Sequence, residues 1–268
     1  MSAKTEKKVV LVTGANQGLG FEIIHVAALR EPESIYILGS RSLAKGHEAA
    51  QELKDLGVKS EVVPVKLDVT DDGDIQAVLD LITSTYGKLD VLINNAGISP
   101  LAHPPSSPTS LPSLREAYTY LLNTNLISVY IISKALLPLL HAAKDPKVIN
   151  ITSGLASMEF NLKAAFVRGL RSLEYGSSKV ALNGVTVHMQ AAENDRVKVE
   201  GVQGHVRFWA VQPGILRTAF NGFREGAKSP EQGAEVAVRL LVDGEEGKYV
   251  LGGTYWKCDV DVMEEVPW

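Results

Sequence analysis

The sequence is poor in the residues that build disulfides, thiolate metal sites or nucleic-acid surfaces. It contains a single cysteine, Cys258, among 268 residues. One cysteine forms neither an internal disulfide nor a multi-cysteine metal site, so we expect no metal and a reducing compartment, by default the cytoplasm. Lys and Arg number 27 against 31 Asp and Glu, a net charge of −4. The chain therefore lacks the basic excess typical of nucleic-acid binding.

Long apolar runs and a targeting pattern are also missing. The polar residues 1–8 precede the first apolar strand without an apolar core of their own, so we expect no signal peptide. The best candidate for a membrane span, 121–140, contains Asn123, Asn125 and Lys134, whereas a span needs about 20 mainly apolar residues. We therefore interpret it as a buried helix and expect no membrane partner.

What the sequence does contain is a regular alternation of apolar strands and helices. Strands are predicted at 9–13, 34–38, 61–67, 90–94, 147–152, 206–211 and 248–251, and helices at 18–30, 43–56, 72–86, 113–141 (one or two), 172–193 and 230–241. Strands that are apolar on both faces are typical of a parallel sheet covered by helices. The pattern predicts a single doubly wound α/β domain, a Rossmann fold over residues 1–268 with a parallel sheet of about seven strands.

Three irregular segments, at about 99–113, 154–174 and 220–228, interrupt this alternation after strands. An open α/β sheet places its ligands at the carboxyl ends of its strands, so we predict that these loops form the substrate pocket. Their apolar residues favour a bulky, partly apolar ligand; they are Leu155, Met158, Phe160, Phe166, Phe220 and Phe223. The alternatives are a surface insertion at 99–113 and ordinary packing by the apolar side chains.

The first strand runs directly into a glycine-rich turn, TGANQGLG at 13–20. Such a turn lets backbone N–H groups approach an anion at the N-terminus of the next helix. Its spacing, G-x-x-x-G-x-G after the first strand, predicts a dinucleotide site. A tight structural turn is the alternative. The residues assigned to the cofactor here are Gly14, Asn16, Gln17, Gly18, Leu19 and Gly20.

The end of the second strand indicates which dinucleotide binds. NAD sites place an acidic residue there for the ribose 2′-hydroxyl, but this chain has Ser40 and Arg41, and no acid follows before Glu48. An arginine at a helix start is disfavoured by the helix dipole, which a 2′-phosphate partner would explain. We predict that Ser40 and Arg41 bind the 2′-phosphate of NADP; a solvated arginine is the alternative. Asp68, after the third strand, either faces the adenine or caps the next helix, as Thr70 could.

Tyr175 and Lys179 lie four positions apart and share one face of a predicted helix. A nearby ammonium favours the phenolate and lowers the phenol pKa from its usual value of about 10. A phenol tuned in this way can donate a proton to a carbonyl oxygen or accept one from an alcohol. The pair alone is also compatible with an ordinary contact on a helix surface.

Several short motifs follow one another in a familiar order. They are TGANQGLG (13–20), LDV (67–69), NNAG (94–97), LLNTNLIS (121–128), INITS (149–153), YGSSK (175–179) and QPG with Thr218 (212–218). In this order the chain resembles the short-chain dehydrogenases/reductases over nearly its whole length. GSR after the second strand and SPEQGAEVAVRLL (229–241) are most similar to the NADPH-dependent carbonyl-reductase branch. The resemblance implies a reversible reduction of a ketone or aldehyde by NADPH.

The resemblance also implies a role for each motif residue. Tyr175 resembles the catalytic acid/base, and Lys179 the residue that binds the nicotinamide ribose and tunes the tyrosine. Ser153 resembles the hydroxyl that orients the substrate oxygen, and Asn125 the asparagine that holds a relay water; a loop hydroxyl and a satisfied buried amide are the alternatives. Further cofactor contacts are implied for Val69, Asn95, Ala96, Gly97, Pro213, Gly214, Ile215 and Thr218.

Two features depart from the family pattern. Ser153 and Tyr175 are 22 positions apart, a longer spacing than is common in the family, which leaves the substrate open. Gln17 stands where some NADP-dependent relatives carry a basic residue, so the phosphate would rest on Arg41 alone. Two other functions remain alternatives on this fold, a sensor or scaffold that binds NADP without chemistry and an isomerase or dehydratase. The resemblance also suggests a homo-oligomer.

Overall fold

The computed structural model describes residues 7–99, 110–163, 173–201, 205–244, 247–249, 251–259 and 261–268. The strands in these ranges are β1 Val9–Val12, β2 Ile35–Ser40, β3 Glu61–Lys66, β4 Val91–Asn94, β5 Lys147–Ile151, β6 Arg207–Gln212, β7 Thr254–Asp259 and β8 Val262–Glu265. The helices are α1 Gly18–Arg30, α2 Leu43–Asp55, α3 Asp72–Thr85, α4 Leu111–Leu122, α5 Ser128–His141, α6 Met158–Lys163, α7 Leu173–Glu200 and α8 Pro230–Val242.

The strands form one sheet in the order β3-β2-β1-β4-β5-β6-β7-β8. Strands β1 to β7 are parallel, and β8 pairs antiparallel with β7 through Cys258 and Met263. The predicted single α/β domain with a parallel sheet of about seven strands is therefore confirmed, and β8 adds an antiparallel edge. The strand order reverses between β1 and β4, so a crevice opens there at the carboxyl ends of the strands.

Alternate residues of the strands feed two apolar layers. In β1, Val10 and Val12 pack into a core with α1, α2 and α8, whereas Val9 and Leu11 pack into a second core with α3, α5 and α7. All four side chains are at most 2% exposed. Burial of each such side chain stabilises the fold by about 1.5–3 kcal/mol. The continuous apolar strand is thus explained by helices on both of its faces.

The last parallel strand lies beyond the position that the sequence predicted. At 248–251, where a strand was expected, the Asp243 carboxylate accepts hydrogen bonds from the backbone N–H groups of Lys248 and Tyr249 and holds a turn; Val250 lies outside the described residues. Gly253, at φ +78°, then donates its N–H to the carbonyl of Phe208. Regular pairing with β6 starts only at Thr254, so the prediction of a strand at 248–251 was wrong.

The segment predicted as one or two helices, 113–141, is one continuous helical run from Leu111 to His141. It begins with a capping box between Ser110 and Ser113 and widens into a π-helical turn at Asn123–Ile127 between α4 and α5. By length and composition alone, this helix could cross a membrane. In the fold, 44% of the most apolar 18-residue stretch of this helix is buried. Such burial suits a helix that packs against a sheet.

The N-terminus of helix α3 is capped by a single side chain. Asp71 is the cap, and its carboxylate accepts the backbone N–H of Asp74 at 3.0 Å. Asp68 instead accepts the N–H and the hydroxyl of Thr70, at 2.9 and 2.7 Å. The alternative in which Asp68 or Thr70 caps this helix is therefore wrong, and Asp68 lines the crevice.

Candidate active site

A cavity of about 940 Å³ occupies the crevice at the carboxyl ends of β1, β4, β5 and β6. It brings together most of the residues that the sequence assigned to the cofactor and to catalysis. The predicted residues that line it are Gly14, Asn16, Gln17, Gly18, Leu19, Arg41, Asp68, Val69, Asn95, Ala96, Gly97, Ser153, Tyr175, Lys179, Pro213, Gly214, Ile215 and Thr218. Gly20, Ser40 and Asn125 do not line it.

The glycine-rich turn is packed too tightly for larger residues. Gly14 has a φ of +63°, and a Cβ at this position would lie 3.0 Å from the Cα of Ala96. A Cβ on Gly20 would lie 2.5 Å from Nδ2 of Asn95 and 2.7 Å from the carbonyl oxygen of Gly14. Gly20 thus lies beneath the turn and lets α1 approach it, while Gly14 and Gly18 face the cavity.

Thr13 supports the site from beneath, and the site prediction omitted it. Its hydroxyl oxygen accepts the backbone N–H groups of Asn95 and Ala96, at 3.0 and 2.9 Å. In return, Nδ2 of Asn95 donates to the carbonyls of Thr13 and Gly14, at 2.9 and 3.1 Å. These four bonds fasten the glycine-rich turn to the end of β4. The threonine at the start of TGANQGLG was the available signal.

At the far end of the cavity, the structure separates the two residues predicted to bind a 2′-phosphate. Arg41 is exposed and lines the cavity. Ser40 is 1% exposed, and its hydroxyl donates to the carbonyl of Ser42 at 2.9 Å. Ser42 in turn caps α2 by accepting the N–H of Lys45. The structure therefore places Arg41 on the cavity lining, whereas the Ser40 hydroxyl is bonded inside the fold, and the binding of a phosphate by Arg41 stays a prediction.

Ser153, Tyr175 and Lys179 meet where β5 ends and α7 begins. The hydroxyl of Tyr175 is hydrogen-bonded to the Ser153 side chain. Lys179 is 4% exposed, and its Nζ lies 5.8 Å from the centroid of the Tyr175 ring. The same Nζ donates to the carbonyl of Ile151, the last residue of β5, at 2.8 Å. The spacing of four on one helix thus places an ammonium beside a phenol, as predicted.

The electrostatics of this trio differ from the prediction. Burial raises the pKa of the Tyr175 phenol to about 12, and the hydrogen bond with Ser153 acts in the opposite direction. Burial also lowers the pKa of Lys179 to about 8. The net shift of the phenol pKa is therefore upward, opposite to the predicted lowering, because burial of the phenol disfavours the phenolate. The phenol is protonated near neutral pH and is placed to donate.

Asn125 lies in the π-helical turn, fully buried behind the cavity wall. Its amide is satisfied by the backbone of Ile98: Nδ2 donates to the carbonyl and Oδ1 accepts the N–H, each at 2.9 Å. The position of a Cβ on Gly97 would be 3.2 Å from Oδ1 of Asn125 and 3.8 Å from Nζ of Lys179. Asn125 and Lys179 thus lie on either side of Gly97. The water that Asn125 would hold in a proton relay stays a prediction.

The segment after β6 forms the opposite wall. Leu216 and Lys228 form an isolated bridge that closes a loop, and this loop contains a short 3₁₀-helix at Ala219–Asn221. The ring of Phe220 contacts Tyr175 edge-on, with centroids 5.8 Å apart. Phe223, which is 66% exposed at a φ of +53°, also lines the cavity.

The predicted substrate loops are described in part. Leu155 and Phe160 line the cavity, whereas Met158 is 57% exposed and does not. Phe166, residues 164–172 and most of the loop 99–113 lie outside the described residues. Several lining residues were not predicted: Glu22, Glu52, Tyr120, Thr124, Gln212, Arg217 and Arg224. Tyr120 and Thr124 lie four positions apart on the helical run that carries Asn125 and so share one face, a spacing that could have suggested them.

The glycine turn, the crevice and the Ser–Tyr–Lys trio define an oxidoreductase of the class that uses nicotinamide dinucleotides. Residues 8–228 match the family model for short chain dehydrogenases. The chain is 43% identical to a short-chain dehydrogenase/reductase of Aspergillus fumigatus over the full length of both, and 32% identical to a short-chain dehydrogenase of Penicillium roqueforti over 90% of this chain and 91% of that one. The chain belongs to the short-chain dehydrogenase/reductase family.

A solved structure shares the whole architecture. The NADPH-bound carbonyl reductase from chicken fatty liver superposes with a TM-score of 0.78 at 27% identity, over 98% of this chain and all of that one. The resemblance inferred from the sequence motifs is therefore confirmed at the level of the family and the fold.

Proposed function

We propose that this enzyme reduces a ketone or an aldehyde to an alcohol with NADPH, and that the reaction is reversible. The observation that carries the proposal is the hydrogen-bonded pair of the Ser153 and Tyr175 hydroxyls in the cavity wall, beside the buried Lys179. Two neighbouring hydroxyls suit an oxygen on which negative charge develops.

The residues at the dinucleotide end of the cavity favour NADPH over NADH. Arg41 offers a guanidinium to a phosphate, which is a charge-assisted and potentially bidentate partner. The end of β2 supplies no carboxylate for a ribose 2′-hydroxyl, since Gly39, Ser40 and Arg41 stand there. The relative from chicken fatty liver is an NADPH-bound reductase, which supports the same choice. When bound, NADPH supplies the hydride.

The protein's own part is to supply and direct a proton. Tyr175, with a pKa raised to about 12, is neutral near pH 7 and can donate from its hydroxyl. Ser153 holds that hydroxyl in place and offers a second donor to the substrate oxygen. Lys179 is fixed by the carbonyl of Ile151 at 2.8 Å, where it can bind ribose hydroxyls.

The wall opposite the trio suits a partly apolar carbonyl compound. Phe220 contacts Tyr175, and Leu155, Phe160 and Phe223 line the same cavity. Such side chains favour an apolar substrate body whose one polar atom faces Ser153 and Tyr175. We propose a small-molecule substrate of this kind and place the reaction in the cytoplasm.

The helix run Leu111–His141 favours the proposal of a homo-oligomer. Leu111, Ile127 and Ile131 are each at least 38% exposed on it, and exposed apolar side chains that lie together mark interaction surfaces. Light scattering of the purified protein tests this point. A mass of one chain would overturn it.

A carbonyl panel with NADPH tests the proposed function. We expect cofactor oxidation coupled one-to-one to alcohol formation with at least one apolar ketone or aldehyde, and the loss of this turnover in Tyr175→Phe. Binding of NADPH without turnover across the panel would favour the sensor. Conversion of a substrate without net use of the cofactor would favour the isomerase or dehydratase.

A further inference from the structure

We propose that Tyr255, on strand β7, is a positioning residue for Ser153, and this inference rests on the proposed reductase function. Tyr255 is fully buried, and its hydroxyl donates a hydrogen bond to the backbone carbonyl of Ser153 at 2.5 Å. The two residues are 102 positions apart in the sequence. The bond joins strand β7 to the residue that bonds with the Tyr175 side chain.

Small residues let the phenol reach across the sheet. Strand β6 separates β7 from β5, and Ala210 of β6 is the register partner of Tyr255. Ala210, Ala156 and Tyr255 form a small buried cluster next to the end of β5. Because residues 156 and 210 are both alanine, the Tyr255 ring occupies the space over β6. Its hydroxyl therefore reaches the turn that follows β5.

The carbonyl that Tyr255 holds controls the direction of the Ser153 side chain. That carbonyl also accepts the N–H of Ala156 at 2.7 Å, so two donors fix the peptide plane after Ser153. One residue earlier, the N–H of Thr152 donates to the carbonyl of Val211 at 2.7 Å and anchors the end of β5 to β6. With the peptide after Ser153 fixed and the chain anchored one residue before it, the Ser153 hydroxyl accepts the N–H of Leu155 at 3.2 Å and bonds with Tyr175.

Tyr255 is itself held from the far side by the segment that contains β8. The ring of Trp268 stacks on the ring of Tyr255, with centroids 5.6 Å apart and an interplanar angle of 19°. The backbone carbonyl of Tyr255 accepts the N–H of Val266 at 2.7 Å. Trp268 and β8 therefore hold the ring in the orientation that aims its hydroxyl at Ser153.

Tyr255→Phe removes the hydroxyl and keeps the ring. We expect kcat for carbonyl reduction to fall roughly tenfold, with an unchanged Kd for NADPH, since the lost bond aligns a donor and touches no cofactor residue. The matched control is Tyr36→Phe. Tyr36 is also fully buried, and its hydroxyl donates to the carbonyl of Glu31 at 3.4 Å, away from the cavity. A tenfold fall in both variants, or in neither, would overturn the proposal.

A double-mutant cycle separates positioning from a general loss of stability. In a Ser153→Ala background, Tyr255→Phe should lower kcat less than twofold, because there is no serine hydroxyl left to align. An equal fall in both backgrounds would show that Tyr255 acts independently of Ser153. If Tyr255→Phe does not fold, Trp268→Leu removes the stacked ring instead. It should then show the same dependence on Ser153.

A structural readout keeps this inference distinct from the proposed function. Crystal structures of the unmodified protein and Tyr255→Phe, both with NADPH, give the distance from Oγ of Ser153 to Oη of Tyr175. We expect this distance to lie within hydrogen-bond range only in the unmodified protein. The same distance in both structures would overturn the positioning role even if no carbonyl substrate is found. Absence of turnover by the unmodified protein, with the expected change in distance, would overturn the reductase function alone.

Discussion

The ammonium of Lys179 donates a hydrogen bond to the backbone carbonyl of Ile151 at 2.8 Å. This bond ties helix α7 to the end of β5 and holds the lysine in a fixed place, 5.8 Å from the centroid of the Tyr175 ring. Burying an ammonium costs free energy unless a polar group accepts a hydrogen bond from it. Because the carbonyl does so, Lys179 can stay charged near neutral pH although burial lowers its pKa to about 8. The proton chemistry of the site then depends on Tyr175.

Replacing the phenol should stop turnover without disturbing the fold. Tyr175→Phe keeps the ring that packs edge-on against Phe220, so we expect unchanged melting and NADPH binding. We expect kcat to fall by at least about 100-fold, since a positioned acid contributes about 10²–10⁴-fold. The control is Tyr118→Phe, which removes a hydroxyl bonded to Ser177 of α7 at 2.8 Å but outside the cavity lining. Near-normal kcat in Tyr175→Phe would refute the mechanism.

The two directions of the reaction should respond to pH in opposite ways. Reduction needs the neutral phenol and oxidation of the alcohol needs the phenolate. With the pKa of Tyr175 raised to about 12 by burial, the phenolate fraction below that pH grows about tenfold per unit. We expect kcat for alcohol oxidation to rise through the alkaline range and kcat for reduction to stay level around neutrality. A rate of oxidation that is level from pH 7 to 10 would contradict this assignment.

Arg41 should decide between the two nicotinamide cofactors. In Arg41→Ala we expect NADPH to lose roughly 10- to 100-fold in affinity and NADH almost none, because a charge-assisted bond to a phosphate is lost. Fluorescence titration of both cofactors measures this. Arg30→Ala is the matched control, since Arg30 pairs with Glu235 at the other end of α1. Equal affinities of the unmodified protein for NADPH and NADH would contradict the assignment.

The parts of the fold that follow from local patterns were predictable. The turn 13–20 joins a continuous apolar strand to a helix, and parallel strands bring successive strand ends to one edge. This is why the motif residues that follow β1, β4 and β5 meet around one cavity. The order of the motifs along the chain was therefore enough to predict that these residues lie together.

The rest depended on contacts that sequence patterns do not carry. Strand β2 is buried along its whole length, and the Ser40 hydroxyl bonds to the backbone carbonyl and N–H of Ser42. The apolar run before Gly252 suggested a strand, but the Asp243 carboxylate holds a turn there. The hydrogen bond between Tyr255 and Ser153 joins residues 102 positions apart. The side chain of Asn125, in the π-helical turn, bonds to the backbone N–H and carbonyl of Ile98.

Glu193 should make the protein sensitive to acid. It is 5% exposed. Burial alone would raise its pKa, but hydrogen bonds from Arg196, the N–H of Val206 and His141 lower it to about 2. The folded pKa is below the unfolded value of 4.5, so the contribution to stability is complete above that pH and is lost as pH falls toward 2. We expect it to be of the order of 3 kcal/mol.

Urea unfolding at pH 7 and pH 3 measures this contribution. Glu193→Gln should be less stable than the unmodified protein at pH 7, and most of that difference should vanish at pH 3. Glu200→Gln is the matched control, because Glu200 pairs with the same Arg196 at 3.2 Å but is 54% exposed. A difference between Glu193→Gln and the unmodified protein that is the same at both pH values would contradict the assignment.

The aromatic side chains of the wall should set the range of substrates and leave the cofactor unaffected. Phe160 and Phe223 line the cavity at 40% and 66% exposure, so their replacement leaves little buried surface unfilled and should cost little stability. In Phe160→Ala or Phe223→Ala we expect kcat/KM for bulky apolar ketones to change severalfold relative to small aldehydes, because the apolar contact area changes with the size of the ligand.

The Kd for NADPH gives the second half of this test, since neither phenylalanine belongs to the turn 13–20 or to the Arg41 end of the cavity. We expect it to stay within about twofold of the unmodified value. Leu56→Ala is the control, an apolar truncation at 50% exposure beyond the end of α2 and outside the cavity lining. A change in NADPH affinity with an unaltered order of substrates would show that these two side chains contact the cofactor and that the substrate lies elsewhere.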